Sequence, residues 1–321
     1  MNRRGLIAAA ILALAAFPAF AQDYPARPIK LLVPFPPAGG TDTLSRAIAQ
    51  SISSNTKWVI VVENKPGAGG NIGLDAAAKS PPDGYTIAMG QTSNLAVNPT
   101  LYSNLPFDPM RDFAPIALLS SQPLIVVVSA ASPYKSLRDL VEAARTNPGK
   151  INMASAGNGT IGHIGGEIFQ RRAGIKMTHV PYKGAGPAVA DIIGGSVDTI
   201  FGNSQSVGGL VSGGRLRPLA VTAPNRLANF PDVPTVAELG YPGFEAATWS
   251  GLVAPAGTPK AIVDRLNAEA NRALGTSELK AKLAEDGSTP LGGTPEQFAA
   301  FIKSENVKWG AAVRDANIKL E

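Results

Sequence analysis

Ile29-Lys-Leu-Leu-Val33, Pro34-Phe-Pro-Pro-Ala-Gly-Gly40 and Thr41-Asp-Thr-Leu-Ser-Arg-Ala-Ile-Ala-Gln-Ser51 follow one another without a gap, and their reading decides the fold. The first five residues form a short apolar run bounded by breakers, which reads as a buried strand. Residues 41–51 then show helical spacing, with Leu44, Ile48 and Ile52 on one face and Thr41 placed as the N-cap. A strand passing through a glycine loop into a helix is half of a βαβ unit. The unit recurs at once, as a strand over 58–62, the loop Glu63-Asn-Lys-Pro-Gly-Ala-Gly-Gly70, a helix through 76–79 and a strand over 85–89. Such alternation predicts an α/β lobe, a mostly parallel sheet flanked by helices.

The same pattern returns farther along. Strands are expected over 124–129, 151–154, 176–180, 198–201 and 216–221, with helices over 136–146, 160–172 and 187–193. After position 246 come one strand, 249–254, and three helices, 259–274, 277–285 and 295–315. A block with so few strands is expected to pack back on the first lobe. About 300 residues exceed what one core usually serves. The division is therefore 22–122 with 247–321 as lobe 1 and 123–246 as lobe 2, with a hinge where the chain crosses at 120–123 and 245–248.

Residues 1–21 read as an export signal. Arg3 and Arg4 precede an apolar run over 6–17, and Ala19-Phe-Ala21 supplies small residues for cleavage after Ala21. The run falls short of the ~20 residues a spanning helix needs, so the expected location is periplasmic. The chain has no cysteine, which excludes disulfides, thiolate metal sites, thiol nucleophiles and a lipoprotein anchor. The net charge of +5 falls by two, to +3, when Arg3 and Arg4 leave. Its basic residues are scattered, so no nucleic-acid face is indicated.

Signals for catalysis are weak. The two histidines, His163 and His179, show no metal spacing, and no GxSxG elbow is present. A structural role is the better reading of both. Gly157-Asn-Gly-Thr-Ile-Gly162 matches GxGxxG, but a dinucleotide site wants an acid about 20 residues on, and Glu167 comes too soon and Asp191 too late. It reads instead as a helix N-terminus suited to a small anion. Loops of this kind follow several strands: 36–42, 90–94, 155–160 and 181–184. In open α/β sheets ligands sit outside the carboxyl ends of strands, so two facing lobes put these loops around one cleft. Small hydroxyl-bearing residues there can bind a carboxylate without turning it over. Asp42 reads as a helix-start charge rather than a contact. Lys183 fits a counter-ion and a solvated lysine equally, and Phe35 and Trp249 fit either cleft wall or core.

At these loops the chain resembles the periplasmic receptors of tripartite tricarboxylate transporters, the Bug family. The resemblance spans nearly the whole mature chain. It is carried by Tyr24-Pro-Ala-Arg-Pro-Ile-Lys-Leu-Leu-Val-Pro-Phe-Pro-Pro-Ala-Gly-Gly-Thr-Asp42, Val62-Glu-Asn-Lys-Pro-Gly-Ala-Gly-Gly-Asn71, Pro82-Asp-Gly-Tyr-Thr86, Ser155-Ala-Gly-Asn-Gly-Thr160, Val180-Pro-Tyr-Lys-Gly184, Gly194-Gly-Ser-Val-Asp198 and Leu252-Val-Ala-Pro-Ala-Gly-Thr-Pro259. It implies a two-lobed periplasmic-binding-protein (Venus flytrap) fold, non-enzymatic and without cofactor or metal. The ligand would be a small carboxylate held by loop backbone, hydroxyls and two bridging waters. On lobe 1 the resemblance points to Phe35, Pro37, Ala38, Gly39, Gly40 and Thr41 with Gln91, Thr92 and Ser93. On lobe 2 it points to Ser155, Ala156, Asn158, Gly159 and Thr160 with Tyr182, Lys183 and Gly184. Receptors of this family take dicarboxylates, amino acids, aromatic acids and nicotinate-type compounds. The implied partners are integral-membrane permease subunits or, alternatively, a sensor kinase, with the receptor itself a monomer.

Overall fold

The computed structural model describes residues 24–285 and 287–318; the export signal read at 1–21 lies outside them. The deciding stretch folds as read, into β1 (Ile29–Val33) and α1 (Gly40–Thr56). Then follow β2 (Ile60–Asn64), α2 (Asn71–Ala78), β3 (Thr86–Gln91), a π-turn Ser93–Val97 running into the short helix α3 (Asn98–Leu101), and β4 (Phe113–Ser129). Next are α4 (Leu137–Thr146), β5 (Asn152–Ser155), α5 (Ile161–Ala173), β6 (Thr178–Pro181), α6 (Ala185–Gly194), β7 (Thr199–Asn203), α7 (Ser204–Ser212) and β8 (Leu216–Val221). The last are β9 (Ala247–Pro255), α8 (Lys260–Gly275), α9 (Ser277–Glu285), β10 (Thr289–Pro290) and α10 (Pro295–Asp315).

The strands follow the order β2-β1-β3-β9-β4-β7-β5-β6, with β10 and β8 also on β4. β1 pairs parallel with β2 and β3, and β5 parallel with β6 and β7. The antiparallel pairs all involve β4 or β9. Each lobe is thus a parallel βα arrangement, joined to the other through antiparallel strands. Leu31, Leu32 and Val33 are all buried, as a strand covered by helices on both faces requires.

The crossing at 120–123 is made inside a strand: these residues are the middle of β4, which starts well before the strand read at 124–129, runs unbroken for 17 residues and pairs with β9 and β10 at one end and β7 and β8 at the other. Ser120 and Gln122 are polar, yet neither is exposed at all. Pro115 is accommodated at a register irregularity in the pairing with β9, where a missing backbone donor is tolerated. The crossing at 245–248 similarly leads into β9. Helix α7 escaped detection because Gly208-Gly209 interrupts its apolar spacing. By contrast α4 and α10 begin where their capping boxes, Ser136 with Asp139 and Thr294 with Gln297, place them.

The C-terminal helix is tied to the sheet by one carboxylate. Glu305 Oε2 on α10 accepts from Nε1 of Trp249 in β9 (2.9 Å) and from Nε1 of Trp309 (2.8 Å), all three residues being buried. Trp249 also packs edge-on against Phe298 and Phe301, so it belongs to the core and not to the cleft. Glu305→Ala would leave two buried indole donors unpaired. It should lower stability by about 3 kcal/mol in denaturant titration, and Glu305→Gln, which keeps an acceptor, by about 1 kcal/mol or less.

Candidate functional site

The loop 34–39 is shaped by groups just outside the cleft. Ala38 has a left-handed backbone (φ 63°), uncommon for a residue with a Cβ. Its N–H donates to Asp42 Oδ2 (2.9 Å), while Asn64 Nδ2 donates to both Phe35 O (3.0 Å) and Asp42 Oδ1 (2.9 Å). Arg46 Nε closes the cluster on Asp42 Oδ2 at 2.9 Å. Burial by itself would push the Asp42 carboxyl up, but the donors Arg46, Asn64 and Ala38 N hold it below its ordinary value. Asp42 does not line the cleft; it fastens the loop that does.

One sequence assignment changes here. The N-cap of α1 is Gly39, not Thr41, and no side chain caps the helix. Thr41 lies inside the first turn, where its hydroxyl accepts from Gln91 Nε2, which also reaches Ser250 Oγ at 3.5 Å. The first-turn N–H groups of a helix have no intrahelical partner, and with no side-chain cap these remain available to a ligand.

Two adjoining cavities open between the lobes. The first, of about 160 Å³, is walled by Phe35, Pro37, Ala38, Gly39, Gly40, Thr41, Gln91 and Ser93 from one lobe and Ala156, Thr160, Lys183 and Gly184 from the other. The second, of about 500 Å³, shares Phe35, Ala156, Lys183 and Gly184 and adds Asn158 and Tyr182. Thr92, Ser155 and Gly159 line neither. Thr92 is fully buried, its hydroxyl accepting from Trp249 N (2.8 Å). Ser155, also fully buried, accepts from Gly157 N (3.2 Å). Both side chains are consumed in holding the wall.

Sequence reasoning missed Gly202, Asn203, Ser206 and Thr248, which also line the first cavity. Gly202 and Asn203 end β7 and Ser206 follows it, at the carboxyl end of the strand like the recognised loops, so position was the available signal, and the unseen helix α7 hid it. With α7 in place a pattern emerges. The N-caps of α1, α5, α6 and α7, namely Gly39, Thr160, Gly184 and Asn203, all stand in the wall of the first cavity. Each helix directs its positive dipole end there. No acidic residue lines either cavity, and Lys183 is the one charged side chain in both walls. Ser93 Oγ is buried in the first wall without a hydrogen-bond partner among the described residues. The arrangement is built for a small anion.

Behind the second-lobe wall the histidines stack face to face, centroids 3.9 Å apart and planes 13° off parallel. Burial lowers His163 to about 3, helped by His179, and lowers His179 to about 4, from an ordinary 6.5. No metal-binding cluster of His, Asp and Glu occurs among the described residues.

Two predictions follow from these groups. Asp42→Ala should cost about 2 kcal/mol in denaturant titration, since it removes the buried carboxylate on which Ala38 N, Asn64 Nδ2 and Arg46 Nε all converge. The histidines are neutral in the folded state and take up protons below pH 6.5 only on unfolding, so their contribution is complete above that pH and is lost as pH falls toward 4. Stability should fall steadily as pH is lowered from 6 to 4.5, and replacing either histidine with asparagine should make that fall shallower.

Residues 44–318 match the family described as the tripartite tricarboxylate transporter family receptor. The protein BugT of Bordetella pertussis is 39% identical over 307 residues, 95% of this chain and 94% of that protein. A solved R. palustris protein with adipate superposes with a TM-score of 0.90 at 35% identity, covering 92% of this chain and 99% of that one. MatC from Rhodopseudomonas palustris, with bound malate, gives a TM-score of 0.86 at 31% identity, covering 90% of this chain and 100% of that one.

Proposed function

The chain belongs to the tripartite tricarboxylate transporter receptor family, and from that premise we propose that it is a periplasmic receptor that captures a small carboxylate and hands it to integral-membrane permease subunits. The observation that carries the reading is the convergence of four helix N-termini on one cavity free of acidic residues. Neutral N–H and hydroxyl donors hold a carboxylate well, because each hydrogen bond to an ionised acceptor is stronger than a neutral one. A cavity of about 160 Å³ is close to the ~150 Å³ that accommodates a benzene-sized guest, the scale of a C4 to C6 acid. Relatives solved with adipate and with malate support that class.

The walls also support binding without turnover. They offer hydroxyls, amides and Lys183, but no carboxylate or imidazole to serve as a base. In this reading the lobes, 22–122 with 247–321 and 123–246, close on the ligand about β4 and β9, because a ligand that touches both favours the closed arrangement.

A thermal-shift screen of the purified mature protein against malate, succinate, adipate and aromatic acids tests the proposal. An acid at a hundred times its dissociation constant should add about 2.7 kcal/mol, which is several degrees. Ser93→Ala should cut the affinity about tenfold at little cost in stability. If no acid stabilises the protein, the carboxylate reading fails.

A further inference from the structure

His163 and His179 are the only histidines in the chain, and nothing in ligand capture as described uses them. They nevertheless grip the two ends of one cleft loop. His179, on β6, stands with Nε2 2.6 Å from Ser155 Oγ, at the start of the loop 155–160. His163, on α5, accepts at Nδ1 from the N–H of Gly159 at the other end (3.2 Å). Between these grips lie Ala156, in the walls of both cavities, and Gly157 and Asn158, in the wall of the second. The next residue, Thr160, caps α5 and donates to Gly157 O at 2.8 Å, so the loop closes on itself from inside.

We propose that His163 and His179 are positioning residues for the second-lobe side of the cleft, a stacked neutral pair whose ring nitrogens hold the loop 155–160 in its binding shape without touching the ligand. The tautomer follows from the hydrogen bond. Nδ1 of His163 accepts, so the ring's proton resides on Nε2. The Gly157-Asn-Gly159 segment, with positive φ at both glycines (139° and 77°), has little rigidity of its own. Its shape must therefore come from outside, and the two rings supply it at both ends. The stack lets each ring brace the other. Ser155, absent from the cavity walls, acts through this link and not as a ligand contact.

The chemistry separates ring from nitrogen. His163→Phe and His179→Phe keep an aromatic ring in the stack and delete the hydrogen bonds. His163→Asn and His179→Gln shorten the ring to an amide but keep a polar atom near the Nδ1 and Nε2 positions. The first readout is amide hydrogen exchange of the peptide spanning 155–160, which needs no ligand. Exchange there should quicken at least tenfold in the phenylalanine variants, with the β1 peptide unchanged, and return to within threefold of wild type in the amide variants. Ser155→Ala, which deletes the His179 link together with the Ser155 contacts to Gly157, should loosen the loop at least as much as His179→Phe, and adding His179→Phe to it should change nothing further. The second readout is malate affinity by calorimetry, which rests on the carboxylate reading and should fall about tenfold in the phenylalanine variants. Wild-type exchange in the phenylalanine variants overturns the proposal, and so does loosening shared equally by the amide variants, since the rings and not their nitrogens would then hold the loop. Absence of malate binding to the wild type would count against malate as a ligand while leaving the exchange result to decide the clamp. Where a phenylalanine variant does not fold, Ser155→Ala decides the His179 arm by the same exchange.

Discussion

A strand in the middle of a sheet must have its backbone groups paired along both edges, and β4 meets that demand by belonging to both lobes. Over its 17 residues its partners change from β9 and β10 to β7 and β8. Leu124 to Val128 have no exposed surface, so the lobe-2 half of the strand is as deeply buried as any core. At the changeover lie Ser120 and Gln122, equally buried, with Thr248 and Ser250 opposite them on β9. The polar floor between the lobes is thus part of the same hydrogen-bonded ladder that joins them. Any relative motion of the lobes bends strands rather than a flexible linker.

The electrostatic design follows from where β4 leaves the helices. Parallel βα units carry each helix N-terminus to the carboxyl end of its strand, and with two such lobes face to face the N-termini of α1, α5, α6 and α7 meet across one cavity. The positive potential there comes from backbone geometry, with Lys183 as its one full charge. Groups that hold the loops sit one layer back: Asp42 with Arg46 and Asn64 behind the first-lobe loop, and the stacked histidines behind the second. Apart from Lys183 the ligand surface is neutral and hydrogen-bonding, and residues that do not line it brace its loops.

The elements with strong local signals were legible. β1, β8, α9 and α10 stand where apolar runs, breakers and capping boxes put them. β2 begins two residues later than read, and Trp58, ahead of it, packs edge-on against Tyr24 at 6.0 Å. α7 was lost to its paired glycines, and with it the Gly202, Asn203 and Ser206 part of the wall. Thr92 and Ser155 were read as cleft residues because they occur in cleft loops, yet side chains in a tight turn alternate between facing the cleft and facing the strand behind it.

Sequence by itself determined the α/β class, the two-lobed fold and the family, because these depend on periodicity, breakers and motif order, all of which are local or strictly sequential. Tertiary structure alone decided that 120–123 is a buried strand, that Glu305 joins two tryptophans, and that His163 meets His179. It also decided which residue of each loop faces the cavity. Those outcomes depend on pairings between residues distant in the chain, such as Gln122 with Thr248, and no local pattern specifies which partner a polar side chain will find once it is buried.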